Sequence, residues 1–199
     1  MKSIYILLLF INFPIFANSV NELNKRLAII DGFSGDFFQK VISSDGDLII
    51  EAEGSIEIAR PNLFRWETKF PNENLLVSDG TIVWYYDPSI TQITLLWQKQ
   101  VIEQTPFLVL IDTQLVNWNN YNITQKGDCF TLTKISMNSS QEKFQIELNN
   151  KGILKTFSIL EEDGQFSSFN FKNIIFKNPS IERFRFKIPK GVEVDDQRN

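Results

Sequence analysis

Most of the chain after residue 32 alternates apolar and polar positions with a period of two. In residues 48–59 the even positions are apolar or small, and the odd positions include Glu51, Glu53, Ser55 and Glu57. This alternation predicts a long strand with one face on the core and one face in water. Asp-Gly pairs, which favour hairpin turns, precede several similar segments. The pattern therefore predicts about ten or eleven strands in one antiparallel meander.

Aromatic and aliphatic side chains occupy the apolar phase of these segments. Because residues of one phase lie on one face of a strand, we expect them to line a single apolar cavity. A further segment of this kind predicts a strand through Phe184, Phe186 and Ile188. The residues expected to line the cavity are Ile56, Ile58, Phe64, Trp66, Trp84, Tyr86, Leu95 and Trp97.

Helical periodicity appears at the start of the chain. Ser19 and Glu22 form a capping box, which predicts a helix beginning at Ser19. Leu23, Leu27 and Ile30 then recur at helical spacing, so the helix is amphipathic. It should end at residues 31–32, where Asp is followed by Gly.

A second short helix is predicted in the middle of the chain. Thr105 is a suitable N-cap and Pro106 suits the first helical position. Phe107 and Leu110 would then face the same cavity, with the helix as its cover. Together these elements predict an α+β fold, an incomplete antiparallel β-barrel with a helical lid over an apolar cavity.

The first 17 residues have the features of a secretory signal. Lys2 gives a positive start, and the apolar run that follows is shorter than the roughly 20 residues that span a bilayer. We expect cleavage after Ala17, with Ser19 as the alternative site, and one domain over residues 18–199. The other interpretation of the run is a helix that tethers the protein to a membrane. Cys129 lies far from this region, so it cannot carry a lipid at a mature N-terminus.

Composition excludes several classes of function. The sequence has no His, so it can form neither a Ser-His-Asp nor a Cys-His pair, and we expect no metal, no cofactor and no enzymatic activity. Acidic clusters at residues 161–163 and 195–196 are better explained as solvated charge. A net charge of −4 argues against nucleic acid as a partner. The 18 Phe residues indicate either a crowded core or a large apolar ligand.

Arg60 continues the apolar phase of the strand at residues 48–59, so a regular strand would point it at the core face. Pro61 follows and suggests a bend or a sheet edge. One interpretation is an ordinary arginine that turns outward at the strand end. The other is a guanidinium that reaches over the cavity and donates to carbonyl groups of the covering helix, because it has five donors and no acceptor.

Five motifs follow in order along the chain: residues 60–66 (RPNLFRW), 76–80 (LVSDG), 84–88 (WYYDP), 105–107 (TPF) and 194–198 (VDDQR). Together they resemble the LolA family, the outer-membrane lipoprotein carrier proteins. The resemblance implies a periplasmic, monomeric carrier for the acyl chains of lipoproteins. It also implies two partners, an inner-membrane ABC transporter that releases lipoproteins and an outer-membrane receptor that accepts them.

The same resemblance assigns roles to three residues. Arg60 matches the arginine that latches the lid, Leu27 matches the lid leucine, and Phe64 matches the phenylalanine at the cavity mouth. Family members vary after that phenylalanine, and Arg65 would place a second charge beside the mouth. A periplasmic binder or sensor of another hydrophobic ligand would share most of these features, and its partners would distinguish it.

Overall fold

The computed structural model describes residues 16–104, 118–135 and 142–198. The helices are α1 (Phe16–Leu27) and α2 (Gln98–Gln104), and short 3-10 turns cover Trp118–Asn120 and Ile181–Phe184. The strands are β1 (Gly32–Ile42), β2 (Leu48–Ala59), β3 (Leu63–Phe70), β4 (Asn74–Asp79), β5 (Ile82–Asp87), β6 (Gln92–Trp97), β7 (Tyr121–Lys126), β8 (Cys129–Lys134), β9 (Lys143–Leu148), β10 (Leu154–Leu160), β11 (Phe166–Ile175) and β12 (Glu193–Asp196).

In this part of the chain all twelve strands belong to one sheet, in the order β12-β6-β5-β4-β3-β2-β1-β11-β10-β9-β8-β7. Neighbouring strands are antiparallel except β12, which runs parallel to β6. The two edge strands, β12 and β7, do not pair, so the sheet is open. The prediction of an incomplete antiparallel barrel is therefore confirmed, with twelve strands instead of ten or eleven. No strand was predicted at β12, because this segment is short and acidic and shows no clear alternation.

β2 has the bounds that the alternation predicts. Ala52, Ile56 and Ile58 are buried, and the intervening glutamates point away from the core. Gly54 lies in the middle of this strand because neighbouring atoms leave no room for a side chain at this position. A Cβ atom there would collide with the main-chain carbonyl of Glu67 and would lie 2.8 Å from the ring of Phe37.

α1 confirms the predicted amphipathic helix but neither its predicted start nor its predicted end at residues 31–32. The helix ends at Leu27, because the Ile29 N–H donates to the carbonyl oxygen of Arg26 three residues back, and Ile30 lies beyond the helix. The helix begins at Phe16, so Ser19 lies inside it and is not the N-cap. The Glu22 side chain, expected to cap the helix, accepts a hydrogen bond from Arg26 Nε at 2.8 Å. Leu23 and Leu27 are buried against the sheet as expected. Within the described residues, no helix is long and apolar enough to cross a membrane.

One contiguous core joins α1 to a single face of the sheet, called here the core face. It contains buried residues of β1–β3, β5 and β7–β11. Aromatic rings connect distant strands across it: Trp66 stacks on Phe37 with 4.0 Å between ring centroids, and Phe169 meets Trp66 edge-on at 5.5 Å. The core face is therefore a continuous apolar surface rather than a set of separate clusters.

The opposite side of the sheet, called here the outer face, is covered at β3–β5 by the C-terminal segment, residues 176–192. Phe184 is 1% exposed, and Phe186 packs against Trp84 and Tyr86. Arg183 forms an ion pair with Glu57 of β2. The predicted strand through Phe184, Phe186 and Ile188 is therefore wrong. Its alternation arises because the segment packs two phenylalanines onto the outer face, not because it pairs with a neighbouring strand.

Candidate ligand-binding face

Strand register shows which residues share the core face. Ile58 pairs with Phe64, Phe64 with Ser78, Ser78 with Val83, and Val83 with Leu96. Residues that pair directly in adjacent strands project to the same face of a sheet. Ile58 and Phe64 belong to the core that contacts α1. This row therefore carries the core face across five strands, from β2 to β6.

A second row runs beside the first. Ile56 pairs with Trp66, Trp66 with Leu76, and Leu76 with Tyr85. Ile56 is 1% exposed, and Phe64 in the first row is 4% exposed. The structure thus brings together four of the residues predicted to line the cavity: Ile56, Ile58, Phe64 and Trp66.

The other four strand residues predicted for the cavity lie on the outer face. Arg65 pairs with Val77, Val77 with Trp84, and Trp84 with Leu95, all in the phase opposite to Phe64. The predicted phase was wrong because β5 is apolar or aromatic at five consecutive positions, so it has no alternation to read. The residues corrected in this way are Trp84, Tyr86, Leu95 and Trp97.

Several core-face residues escaped the sequence prediction. Val83 and Leu96 occupy the core-face positions that were predicted for Trp84 and Leu95. The sequence did not reveal this, because the consecutive apolar residues of β5 show no alternating pattern. Phe37, Phe157 and Phe169 extend the face onto the far side of the sheet. Their strands do alternate, so this part of the face could have been found by pairing the strands before assigning the cavity.

Arg60 and Leu27, the two residues expected to form a latch, lie close together. Both line a small cavity beneath the C-terminal end of α1, with Ile30 and Phe33. The Arg60 main-chain N–H donates to the carbonyl oxygen of Asp31 at 2.7 Å, which holds the end of β2 against the segment after α1. The helix expected at Pro106, with Phe107 and Leu110, lies outside the described residues.

Arg65 does not lie beside the mouth with Phe64. It projects to the outer face, where one of its terminal nitrogens is 3.7 Å from a carboxylate oxygen of Glu67. Its Nε is buried and makes no hydrogen bond. The expectation of a second charge at the mouth is therefore corrected, because adjacent residues of a strand point to opposite faces.

The charged groups nearest the core face lie at its rim, around α1. The hydrogen bond from Arg26 lowers the pKa of Glu22. Burial alone would lower the pKa of Arg26, but its hydrogen bonds to Glu22 and Asp128 raise it overall. Tyr121 lies beside Phe144 of the core, and burial raises the pKa of its hydroxyl group.

Among the described residues, the core face therefore presents mainly aliphatic and aromatic side chains, with the buried Ser78 between them and charged groups at the edge. An open sheet with such a face and a helix packed on it is typical of proteins that bind apolar ligands inside a β-structure. The profile of the family described as "Outer membrane lipoprotein carrier protein LolA" matches residues 29–188. The chain belongs to this family.

Curated relatives agree with the assignment. An outer-membrane lipoprotein carrier protein of Vibrio parahaemolyticus is 53% identical over 92% of this chain and 88% of its own length. The protein of the same name from Vibrio vulnificus is 48% identical over 98% of both chains. The one from Aliivibrio salmonicida is 42% identical over the full length of both.

Among solved structures, an uncharacterized conserved protein from Thermus thermophilus superposes with a TM-score of 0.59. The alignment covers 90% of this chain and 99% of that one, at 14% identity. At this identity the similarity shows a shared fold only.

Proposed function

We propose that this protein is a periplasmic carrier that holds the acyl chains of lipoproteins against its core face. It receives them from an inner-membrane ABC transporter and delivers them to an outer-membrane receptor. The observation that carries the proposal is the continuous apolar core face of an open sheet in a chain of the LolA family. Residues 1–17 act as the export signal, and residues 18–199 work as a monomer.

The energetics of lipid transport explain why the face is apolar and the sheet is open. Each methylene that leaves water gains about 0.8 kcal/mol, so exposed acyl chains would cost tens of kcal/mol. A carrier has to shield the acyl chains from water and still be able to release them. Transfer from one apolar face to another changes the hydration of the chains little, so modest differences in fit are enough to set its direction.

The absence of histidine from the sequence supports binding rather than catalysis. The described residues also contain no cluster of three Cys, Asp or Glu side chains that could hold a metal ion. The acidic residues at 161–163 lie in the exposed β10–β11 turn, where Asp163 accepts a hydrogen bond from the main-chain N–H of Gln165. That contact is typical of turn formation.

Within this proposal, Ile56, Ile58, Phe64 and Trp66 contact the acyl chains. Arg60 acts as a latch for the closed state, next to Leu27 at the end of α1. Arginine donors to carbonyl groups contribute roughly 1.5–3 kcal/mol each. That is small enough for an acyl chain that prefers the open state to overcome.

The binding face is tested with two buried residues on opposite sides of the sheet. Phe64→Ala truncates the core face, and Val77→Ala truncates the outer face in the neighbouring strand. Both variants lose stability, about 3–5 and about 2 kcal/mol respectively. At temperatures where circular dichroism shows both folded, only Phe64→Ala should weaken binding of a triacylated lipopeptide. Equal binding by the two variants would contradict the proposal.

The latch is tested with Arg60→Leu, followed by separate assays of the acceptance and transfer steps. Loss of the donors should raise the population of the open state, so acceptance from the inner membrane survives. Transfer to the receptor should fall, and loaded protein should accumulate. Normal transfer, or a collapse of the melting temperature together with both steps, would show that Arg60 is an ordinary structural residue.

A further inference from the structure

Arg26 is more deeply buried than its charge would suggest. It lies one residue before the end of α1 and is 8% exposed, whereas arginine is mostly exposed in proteins. Its Nε donates to Glu22 one helical turn earlier, at 2.8 Å. This bond alone does not explain the burial, because the rest of the guanidinium points away from the helix.

The remaining contacts of Arg26 are made with the sheet. One terminal nitrogen donates to Asp128 Oδ1 and to the carbonyl oxygen of Leu148, both at 2.8 Å. The guanidinium also lies 5.2 Å from the centroid of the Phe130 ring. Asp128 is in the β7–β8 turn, Phe130 is in β8, and Leu148 ends β9. Arg26 therefore holds α1 to the last three strands on one side of the open sheet.

The same end of α1 is attached to the other part of the sheet. The carbonyl of Asp31, just after the helix, accepts the main-chain N–H of Arg60 at the end of β2. Leu27 and Arg60 line one small cavity there. In the sheet, β2 is separated from β9 by β1, β11 and β10. The end of α1 thus spans the core face from one group of strands to the other.

The C-terminal end of α1 is tightly packed against the β9–β10 turn. Gly152, in the β9–β10 turn, has φ +76°, and a Cβ atom there would lie 2.9 Å from the main-chain oxygen of Arg26. The turn and the helix end are therefore in close contact. β7, at the edge of the sheet, has no strand beyond it among the described residues, so α1 is the described element that holds this edge toward the core face.

We propose that Arg26 is a positioning residue that fastens α1 across the open sheet and so sets how readily the core face admits an acyl chain. The lipid part of this inference rests on the proposed function. The fastening part does not, because it follows from the contacts of the protein itself. Removing Arg26 should release the β7–β9 side of the helix and leave the Arg60 side attached.

The experiment compares Arg26→Met with Arg183→Met. Arg183 is the matched control because it also forms a carboxylate ion pair, with Glu57, but on the outer face. In Arg26→Met, hydrogen exchange of the α1 amides should accelerate at least about tenfold relative to the amides of β10 and β11. A tenfold change corresponds to a loss of ~1.4 kcal/mol in the free energy of opening of the helix. In Arg183→Met the α1 amides should keep their protection relative to those strands. Arg26→Lys, which retains the charge but not the planar donor geometry, should give an intermediate value.

Binding is measured on the same proteins with 1-anilinonaphthalene-8-sulfonate and with a triacylated lipopeptide. If the open state is sparsely populated, a tenfold rise in its population raises the apparent affinity about tenfold. Arg26→Met should therefore bind both probes more tightly than the wild type, and Arg183→Met should not. Exchange that accelerates equally in all elements, or a loosened α1 with unchanged probe affinity, would overturn the inference. A wild-type protein that fails to bind the lipopeptide would contradict the proposed function, while the exchange data would still decide whether Arg26 fastens α1.

Discussion

Two tryptophans on opposite faces of the sheet offer a direct test of where the acyl chains lie. Trp66 in β3 is on the core face, and Trp84 in β5 is on the outer face. The sequence has four tryptophans, so two proteins with a single tryptophan can be made by replacing the other three with Phe. One protein keeps Trp66 and the other keeps Trp84.

The structure also gives the expected cost of removing each ring. Trp66 stacks on Phe37 at 4.0 Å and meets Phe169 edge-on at 5.5 Å. Trp84 makes one stacked contact, with Phe186 at 6.4 Å. Each aromatic pair contributes about 0.5–1.5 kcal/mol beyond the area it buries. Loss of the ring, as in Trp66→Ala, should therefore cost about 1–3 kcal/mol from these contacts, and Trp84→Ala about 0.5–1.5 kcal/mol, measured by urea unfolding. The Phe replacements in the single-tryptophan proteins keep an aromatic ring at each position, so they should cost less.

The assay is fluorescence quenching by a lipopeptide with brominated acyl chains, because bromine quenches tryptophan only at close range. The protein that retains Trp66 should be strongly quenched when it is loaded. The protein that retains Trp84 should change little, because its ring lies on the other side of the sheet beneath Phe186. Equal quenching of the two proteins, or stronger quenching of Trp84, would refute the assignment of the core face as the binding surface.

Three further outcomes are expected. Gly54→Ala should destabilise the protein by about 1–3 kcal/mol in urea unfolding, because its new methyl group meets a main-chain carbonyl that cannot move freely; unchanged stability would show that β2 and β3 can separate. Intact mass of the exported protein should correspond to cleavage after Ala17 without attached lipid, and a retained signal would contradict this. The pKa of Glu22 is lowered by its bond to Arg26, so its ionised form stabilises the fold above about pH 4.5 and that contribution is lost as the pH falls through the lowered pKa. Glu22→Gln should flatten this part of the stability curve, and an unaltered pH dependence would show that the bond is not maintained in solution.

The sequence predicted those parts of the fold in which one face of a strand is covered and the other is solvated. β2 has the expected bounds because the polar residues Glu51, Glu53, Ser55 and Glu57 mark its outer face. The assignment failed at β5, where Val83 belongs to the core on one face and Phe186 of the C-terminal segment packs on Trp84 on the other. It also failed at the neighbouring β6, in which the adjacent residues Leu95 and Leu96 are both apolar. A strand that is buried on both sides carries no alternation, so the register of its neighbours has to decide which residue faces where.

The candidate site was predicted in the same uneven way. Ile56, Ile58, Phe64 and Trp66 were assigned to one face correctly because their strands alternate. Arg60 was singled out by its phase and by the family motif, and its role as a latch stays a prediction. Arg26 was not singled out, because its partners in the sheet lie more than a hundred residues away in the chain. Contacts of that kind depend on how the sheet order brings strands together, which local patterns do not encode.

The proposed function requires this protein to carry lipoproteins by their acyl chains. Native mass spectrometry of protein purified from the periplasm of cells that express a tagged lipoprotein tests it most directly. We expect a complex of one carrier with one acylated lipoprotein, present for the wild type and for Val77→Ala and diminished for Phe64→Ala. A carrier that is always empty, or one that retains free phospholipid and never a lipoprotein, would contradict it.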